Sequence, residues 1–398
     1  MMRHVLVHCG LLLCLLGIPS ARAEPFRPHA DAQVIEILPR RDNDALNAGI
    51  ARLRLQLNAA PTDFAIAGQL AGLHLKRFRR DGDPRDLGQA DALIAPWLNG
   101  RDPPATALLL HASVQQSNHR FAAALASLDS AMRKSPGDPQ ALLMRAGILQ
   151  VQGKYADARQ SCGAMLLQNA ALAGVCLANV SAVSGQPEQA LALLRRMAAQ
   201  AGDGDAANAW VMASIGETAA SLGLAGQAED AFRKGLRAHP DDAYLKTAMA
   251  DFLLEHRRPR EVIALLAGDA RNDNLLLRLT MAEQQLGDAN TRTHIAELQA
   301  RFAAAAERGD RVHLREEAMF RLVLLNQAEA ALQLAKANWA VQKEVADCRI
   351  LLAAALAARQ PAAARPALEW LATARLRAPA LLALQHSLQG KPAARARS

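Results

Sequence analysis

The chain has 398 residues, a formal net charge of +8, 51% apolar residues and only 4% aromatic ones. Its positive charge is mild and spread along the chain, which argues against nucleic-acid binding. Alanine and leucine dominate the apolar fraction, a composition of closely packed helices and not of sheets.

Arg3 and His4 give a short basic start, and an apolar run from Val5 to Ile18 is interrupted only by His8, Cys9 and Gly10. Ala21-Arg22-Ala23 then offers a small-x-small cleavage site before Glu24, so residues 1–23 read as a secretory signal peptide. The run falls short of the roughly 20 apolar residues that a spanning helix needs, and no later segment is apolar enough to span. Leu11 to Leu13 precede Cys14, where a lipid-attachment site wants a small residue. The expected destination is therefore soluble and extracytoplasmic, the periplasm in a Gram-negative host.

After a leader over residues 24–41, residues 42–104 carry helical periodicity. It is broken by Asn58-Ala59-Ala60-Pro61 and by Asp81-Gly82-Asp83-Pro84, and reads as two or more helices. From Ala105 a repeat emerges. Phe121-Ala122-Ala123-Ala124 aligns with Tyr155-Ala156-Asp157-Ala158 at an offset of 34 residues, and the frame returns at Gly185 to Ala190 and again from Gly226 to Phe232. With repeat starts at Ala105, Pro139, Ala171 and Ala209, the first helix of each unit carries a small residue at Ala112, Ala146, Ala178 or Gly216. The second carries one at Ala124, Ala158, Ala190 or Ala228. Small side chains at these points let antiparallel helices approach closely. Gly153, Gly185 and Gly223 occupy the turn between them, lost to His119 in the first copy, and Pro136 and Pro240 close two of the units.

These four blocks resemble the tetratricopeptide repeat family, whose period is 34 residues. A fifth, weaker copy starts at Ala243, with Val262 where alanine is expected. The array is assigned to residues 105–268. Residues 269–385 keep amphipathic helical patterns with breaks at Gly287, Gly309, Asn326 and Pro361, but lose the 34-residue frame and read as degenerate copies. The block from Glu307 to Leu352 resembles blocks of uncharacterised exported bacterial repeat proteins, which implies no chemistry. Residues 386–398 read as a disordered basic tail.

The resemblance implies an all-α fold, a right-handed superhelical solenoid of stacked helix pairs with an inner groove lined by the first helix of each repeat. The expected groove residues are Gln140, Gln150, Asn179, Trp210, Glu217, Tyr244, Thr247 and Asp251. Two aromatics among amides and acids suit a peptide or protein partner. A carboxylate clamp of the chaperone-binding kind is not expected, because Asn179 has Val175 four residues before it where a cation belongs.

Three cysteines follow the signal segment. Cys162 and Cys176 fall on neighbouring helices, so a bridge between them and three buried thiols both remain open. The sharpest polar cluster is Asp310, His313 and Glu317, whose spacing places the last two one helical turn apart. They could share a metal, yet one histidine with two carboxylates is a weak zinc signature. The alternative is that Asp310 caps a helix while Glu316 and Glu317 pair with arginines. Gly202-Asp203-Gly204-Asp205 lacks the glycine and glutamate of a calcium loop and reads as a linker.

No hydrolase elbow, phosphate loop, dinucleotide fingerprint or paired-cysteine metal site occurs in the sequence. The expectation is a non-enzymatic, cofactor-free periplasmic scaffold that holds a protein partner. A metal-binding repeat protein and an accessory subunit of an envelope polysaccharide-export or wall-synthesis complex are the alternatives.

Overall fold

The computed structural model of the protein describes residues 44–200, 206–374, 376 and 378–390; the signal peptide, the leader, the linker at residues 202–205 and the last eight residues lie outside them. Among the described residues every regular element is helical. A leading helix, α1 (Ala45–Ala59), precedes antiparallel pairs that follow one another without interruption. They are α2 (Phe64–Asp81) with α3 (Pro84–Leu98), α4 (Ala105–Ser117) with α5 (Phe121–Lys134), and α6 (Pro139–Val151) with α7 (Tyr155–Ala164). Next come α8 (Ala170–Ala182) with α9 (Pro187–Gln200), α10 (Ala206–Ser221) with α11 (Ala225–Ala238), and α12 (Ala243–Glu255) with α13 (Pro259–Leu266). The series ends with α14 (Asp273–Leu286) and α15 (Thr291–Glu307), then α16 (Leu314–Met319) and α17 (Ala328–Val341), then α18 (Val345–Ala357) and α19 (Arg365–Ala374), closed by α20 (Pro379–Leu388). A single turn of π-helix, Phe320–Leu324, extends α16.

Local chemistry sets the boundaries. Asp63, Asp83, Asp138, Asn169, Asp242 and Asn272 each accept a backbone N–H from the first turn of the helix they precede. Each thereby satisfies a donor that the helix itself cannot. Pro84, Pro139, Pro259 and Pro379 stand at first helical positions, where a missing N–H costs nothing.

The turns inside the pairs reveal a regularity that residue identity hides. Gly153 (φ 77°) and Gly223 (φ 75°) take the left-handed conformation, and so do His119, Arg257, Asn326 and Arg359, with φ between 53° and 56°. The same turn therefore recurs at the C-terminal end of α4, α6, α10, α12, the π-helical turn and α18. The pairs after residue 269 are built like those before it: Gly287 (φ 67°) makes the turn after α14, and Asn326 and Arg359 make it without glycine.

Small residues at the pair interfaces are sealed from water. Ala112, Ala124, Ala146, Ala158, Ala178, Ala190 and Ala228 are each at most 1% exposed, as is Val262 in the fifth copy. At Gly216 a methyl group would lie 2.3 Å from the Phe232 ring, so here only glycine allows α10 and α11 to meet. Cys162 and Cys176 are joined in a disulfide that links α7 to α8 across a Cα–Cα distance of 5.6 Å, while Cys348 is a buried thiol.

The buried apolar residues do not form one core. The largest cluster runs from Val175 to Leu324, and a separate one joins Ala318 to α17, α18, α19 and α20. They adjoin where α16 passes into the π-helical turn: Ala318 belongs to one, Phe320 to the other, and Met319 packs on both.

Candidate functional site

The first helices of successive pairs, α10, α12, α14, α16 and α18, carry a connected ladder of polar side chains. On α10 and α12, Tyr244 donates its hydroxyl proton to Glu217 (Oη to Oε1, 2.7 Å). Two turns further along α12, Asp251 is gripped in two bonds by Arg278 of α14, Nε to Oδ1 and Nη2 to Oδ2, each 2.9 Å. Such fork-to-fork pairing fixes both planes. Arg315 of α16 then reaches Glu316 at 3.0 Å, Glu344 at 2.8 Å and Asp347 at 3.3 Å. Asp347, fully buried, also accepts from Asn338 at 2.8 Å and from the backbone N–H of Glu344 at 2.8 Å.

Electrostatics tie these rungs together. Burial alone would raise the Glu316 carboxyl, but Arg315, Arg278 and His313 outweigh it and hold it down to about 2. Burial would likewise lower the Arg315 guanidinium, and the carboxylates of Glu316, Asp347 and Glu344 instead hold it well above its ordinary value. Asp347 is pushed up to about 6 by burial. Glu217 is raised to about 7, first by the protein mass around it and then by Glu344 and Asp251. Both Glu217 and Tyr244 are nevertheless open to water, Tyr244 at 59%. The two side chains thus lie on a water-exposed face within electrostatic reach of charges carried by α12 and α16 and by Glu344, just ahead of α18. Water at this face blunts the shift without changing its direction. Tyr244 senses the same Glu344 and Arg315, and His119, in the turn after α4, senses Arg315, Glu316, His313 and Glu344. The solenoid coils far enough for the backbone N–H of Lys343, between α17 and α18, to donate to the Val151 carbonyl at the end of α6, and for Trp370 Nε1 of α19 to donate to the Tyr155 hydroxyl of α7, each at 2.7 Å.

No family model and no curated protein matches the chain. Among solved structures it is similar to the APC/C hetero-tetramer Cut9-Hcn1, at 15% identity and a TM-score of 0.48 over 87% of this chain and 73% of that one. It is also similar to a tetratricopeptide repeat protein from Parabacteroides merdae ATCC 43184, at 13% identity and a TM-score of 0.31 over 72% and 98% of the two chains. The recurring pairs, turns and small-residue contacts described above decide the architecture. The fold is a tetratricopeptide-type solenoid.

Within the solenoid the expected groove residues are not equivalent. Gln140, Glu217 and Tyr244 are exposed, whereas Gln150, Asn179, Trp210, Thr247 and Asp251 are half-buried. Asn179 donates to the Val175 carbonyl and Thr247 to the Ala243 carbonyl, each four residues back along its own helix. Trp210 packs on the apolar clusters to either side of it. Glu217, Tyr244 and Asp251 are the three that meet across repeats.

Asp310, His313 and Glu317 are not gathered at a common point. Asp310 accepts from the Val312 backbone N–H just ahead of α16, and Glu317 pairs with Arg321 at 3.0 Å. Among the described residues no group of three histidine, cysteine or acidic side chains is placed to hold a metal ion.

Arg278, Arg315, Glu316 and Glu344 belong to the ladder and were not singled out from sequence. Each lies beyond residue 269, where the 34-residue frame is lost. Placing the unit boundaries by Arg257, Gly287, Asn326 and Arg359 would have put Arg278, Arg315 and Glu316 on first helices and Glu344 at the cap of one.

Proposed function

We propose that the protein is a non-enzymatic scaffold that binds an extended polypeptide along the concave face of its solenoid, in an extracytoplasmic compartment. The observation that carries this reading is Tyr244. A large aromatic side chain, 59% exposed on the first-helix face and bonded to Glu217, has the character of an interface anchor awaiting a partner. The bonded Cys162 and Cys176 support an oxidising compartment, in keeping with the signal-peptide pattern of residues 1–23. No helix among the described residues is long and apolar enough to cross a membrane.

Photo-crosslinking tests the assignment. A benzophenone amino acid replacing Tyr244 is expected to yield discrete adducts in cells of the source organism. The same group replacing Arg237, an exposed residue of the second-helix layer, should not yield them. Equal adduct patterns from the two positions would remove the concave face from consideration.

A further inference from the structure

The carboxylates around Tyr244 outnumber the cations that could answer them. Arg278, a buried side chain, is occupied by Asp251 and by the Asn274 carbonyl. Arg315 is shared among Glu316, Glu344 and Asp347. Five carboxyl groups, Glu217, Asp251, Glu316, Glu344 and Asp347, thus have two guanidinium groups and the His313 imidazole between them, and none of these cationic side chains bonds Glu217. Its one bonded partner among the described residues is the Tyr244 hydroxyl. In the second-helix layer the count balances instead, with Glu229 and Glu261 each meeting both Arg233 and Arg258.

The imbalance falls on an exposed carboxylate beside an exposed aromatic ring. Glu344 and Asp251 add to the effect of burial in pushing the Glu217 carboxyl upward. A cation arriving there would relieve that repulsion, and the Tyr244 ring would attract the same charge. Among the described residues no three acidic, histidine or cysteine side chains converge as a metal ion requires, so the geometry suits a cation carried at the end of a long side chain. Tyr244 and Asp251 stand seven residues apart on α12, about 10 Å of helix rise, a length that an extended polypeptide covers with about three residues.

We propose that the polypeptide bound on this face presents a lysine or arginine side chain to Glu217 and Tyr244, selected by the excess of carboxylates around them. The inference rests on the concave face being the binding surface, and its test separates the two.

A phage-displayed library of random twelve-residue peptides is selected on the immobilised full-length protein at pH 8, above the value of about 7 to which Glu217 is pushed. The enriched peptides are expected to share a lysine or arginine, and its replacement by glutamine should weaken binding about fivefold. Glu217→Gln keeps an acceptor for Tyr244 and removes the charge. It should weaken the cationic peptides about fivefold and leave their glutamine versions unchanged, and Glu217→Lys should turn the preference toward peptides with an acidic residue in that place. Tyr244→Ala should weaken all of them about tenfold or more, with the helicity of every variant unchanged. Peptides that need no cation, or a cation whose replacement costs the same in the wild type and in Glu217→Gln, would overturn the inference. If Tyr244→Ala still weakens those peptides, the concave face stands without it. A selection yielding no peptide sensitive to Tyr244→Ala would remove the concave face and this inference together. Spermidine binding as tightly as the enriched peptides would give the site to a small polyamine and overturn the peptide.

Discussion

Gly216 offers the most direct test of how the repeats pack. A Cβ at this position would sit 2.3 Å from Phe232 Cε1 and 2.6 Å from both Cδ1 and Cζ, where ordinary contact begins near 3.4 Å. The ring would have to retreat by more than an ångström, yet Phe232 is 1% exposed and its ring lies against Phe252 at a centroid distance of 6.0 Å. Overpacking a filled core costs about 1–3 kcal/mol, and a trapped ring puts this site near the upper end. Alanine returns about 1 kcal/mol through its better helix propensity, so Gly216→Ala should destabilise by about 2 kcal/mol. Gly147, on α6, has open space around its Cβ position, so Gly147→Ala should gain up to about 1 kcal/mol. Urea titrations followed by far-UV circular dichroism would then separate the two variants by about 3 kcal/mol. In a Phe232→Leu background the penalty of Gly216→Ala should shrink by about 1–2 kcal/mol, the coupling expected of residues in contact. Matching stabilities for Gly216→Ala and Gly147→Ala would refute the close-approach argument outright.

Two further outcomes follow from named positions. Arg359 holds a left-handed conformation at φ 55° on an exposed turn, so Arg359→Gly should stabilise by up to about 1 kcal/mol while Arg359→Ala should change little. A loss of stability in the glycine variant would mean that the turn is not strained. Surrounding protein first, then Glu344 and Asp251, push the Glu217 carboxyl up from its ordinary 4.5 towards about 7, so between those limits the folded state holds a proton more than the unfolded state does. Its contribution to stability is therefore greatest below about pH 4.5 and declines as the pH rises through about 7, and Glu217→Gln should flatten that decline. Urea midpoints measured across this window check the sign; parallel curves for the two proteins would place Glu217 in ordinary water.

What the sequence disclosed follows from what each signal reports. Alanines at Ala112, Ala124, Ala146, Ala158 and Ala178 mark the helix interfaces because a sealed, closely approached antiparallel contact favours small side chains, and residue type alone records that constraint. The array blurred after residue 269 for the opposite reason. A left-handed turn is a conformation, and glycine is only its commonest carrier. Arg257, Asn326 and Arg359 adopt the same turn with side chains that spell nothing about it. The groove residues divide in a similar way. Tyr244 and Glu217 were legible as first-helix positions, but that Tyr244 bonds Glu217, and that Arg315 and Glu344 act on both, depends on how far the superhelix coils. That coiling sums small rotations over many units and has no local signature. The bond between Cys162 and Cys176 was undecidable for a related reason, since spacing brought the two near one another and only the stagger of α7 against α8 brings their sulfurs together.

The meeting of Tyr155 with Trp370 also alters how such a molecule should fold. An open solenoid is a chain of neighbours. It can nucleate in any repeat, spread in both directions and fray from either end, because no contact spans more than an adjacent unit. A bond across 215 residues can form only when the units between are already in place, and it pays the closure entropy of that whole span late. Once made, it removes a free end from the side of the stack where unravelling would begin. Loss of that one contact should therefore be felt less at the seam than as a fall in the sharpness of unfolding of the repeats far from it.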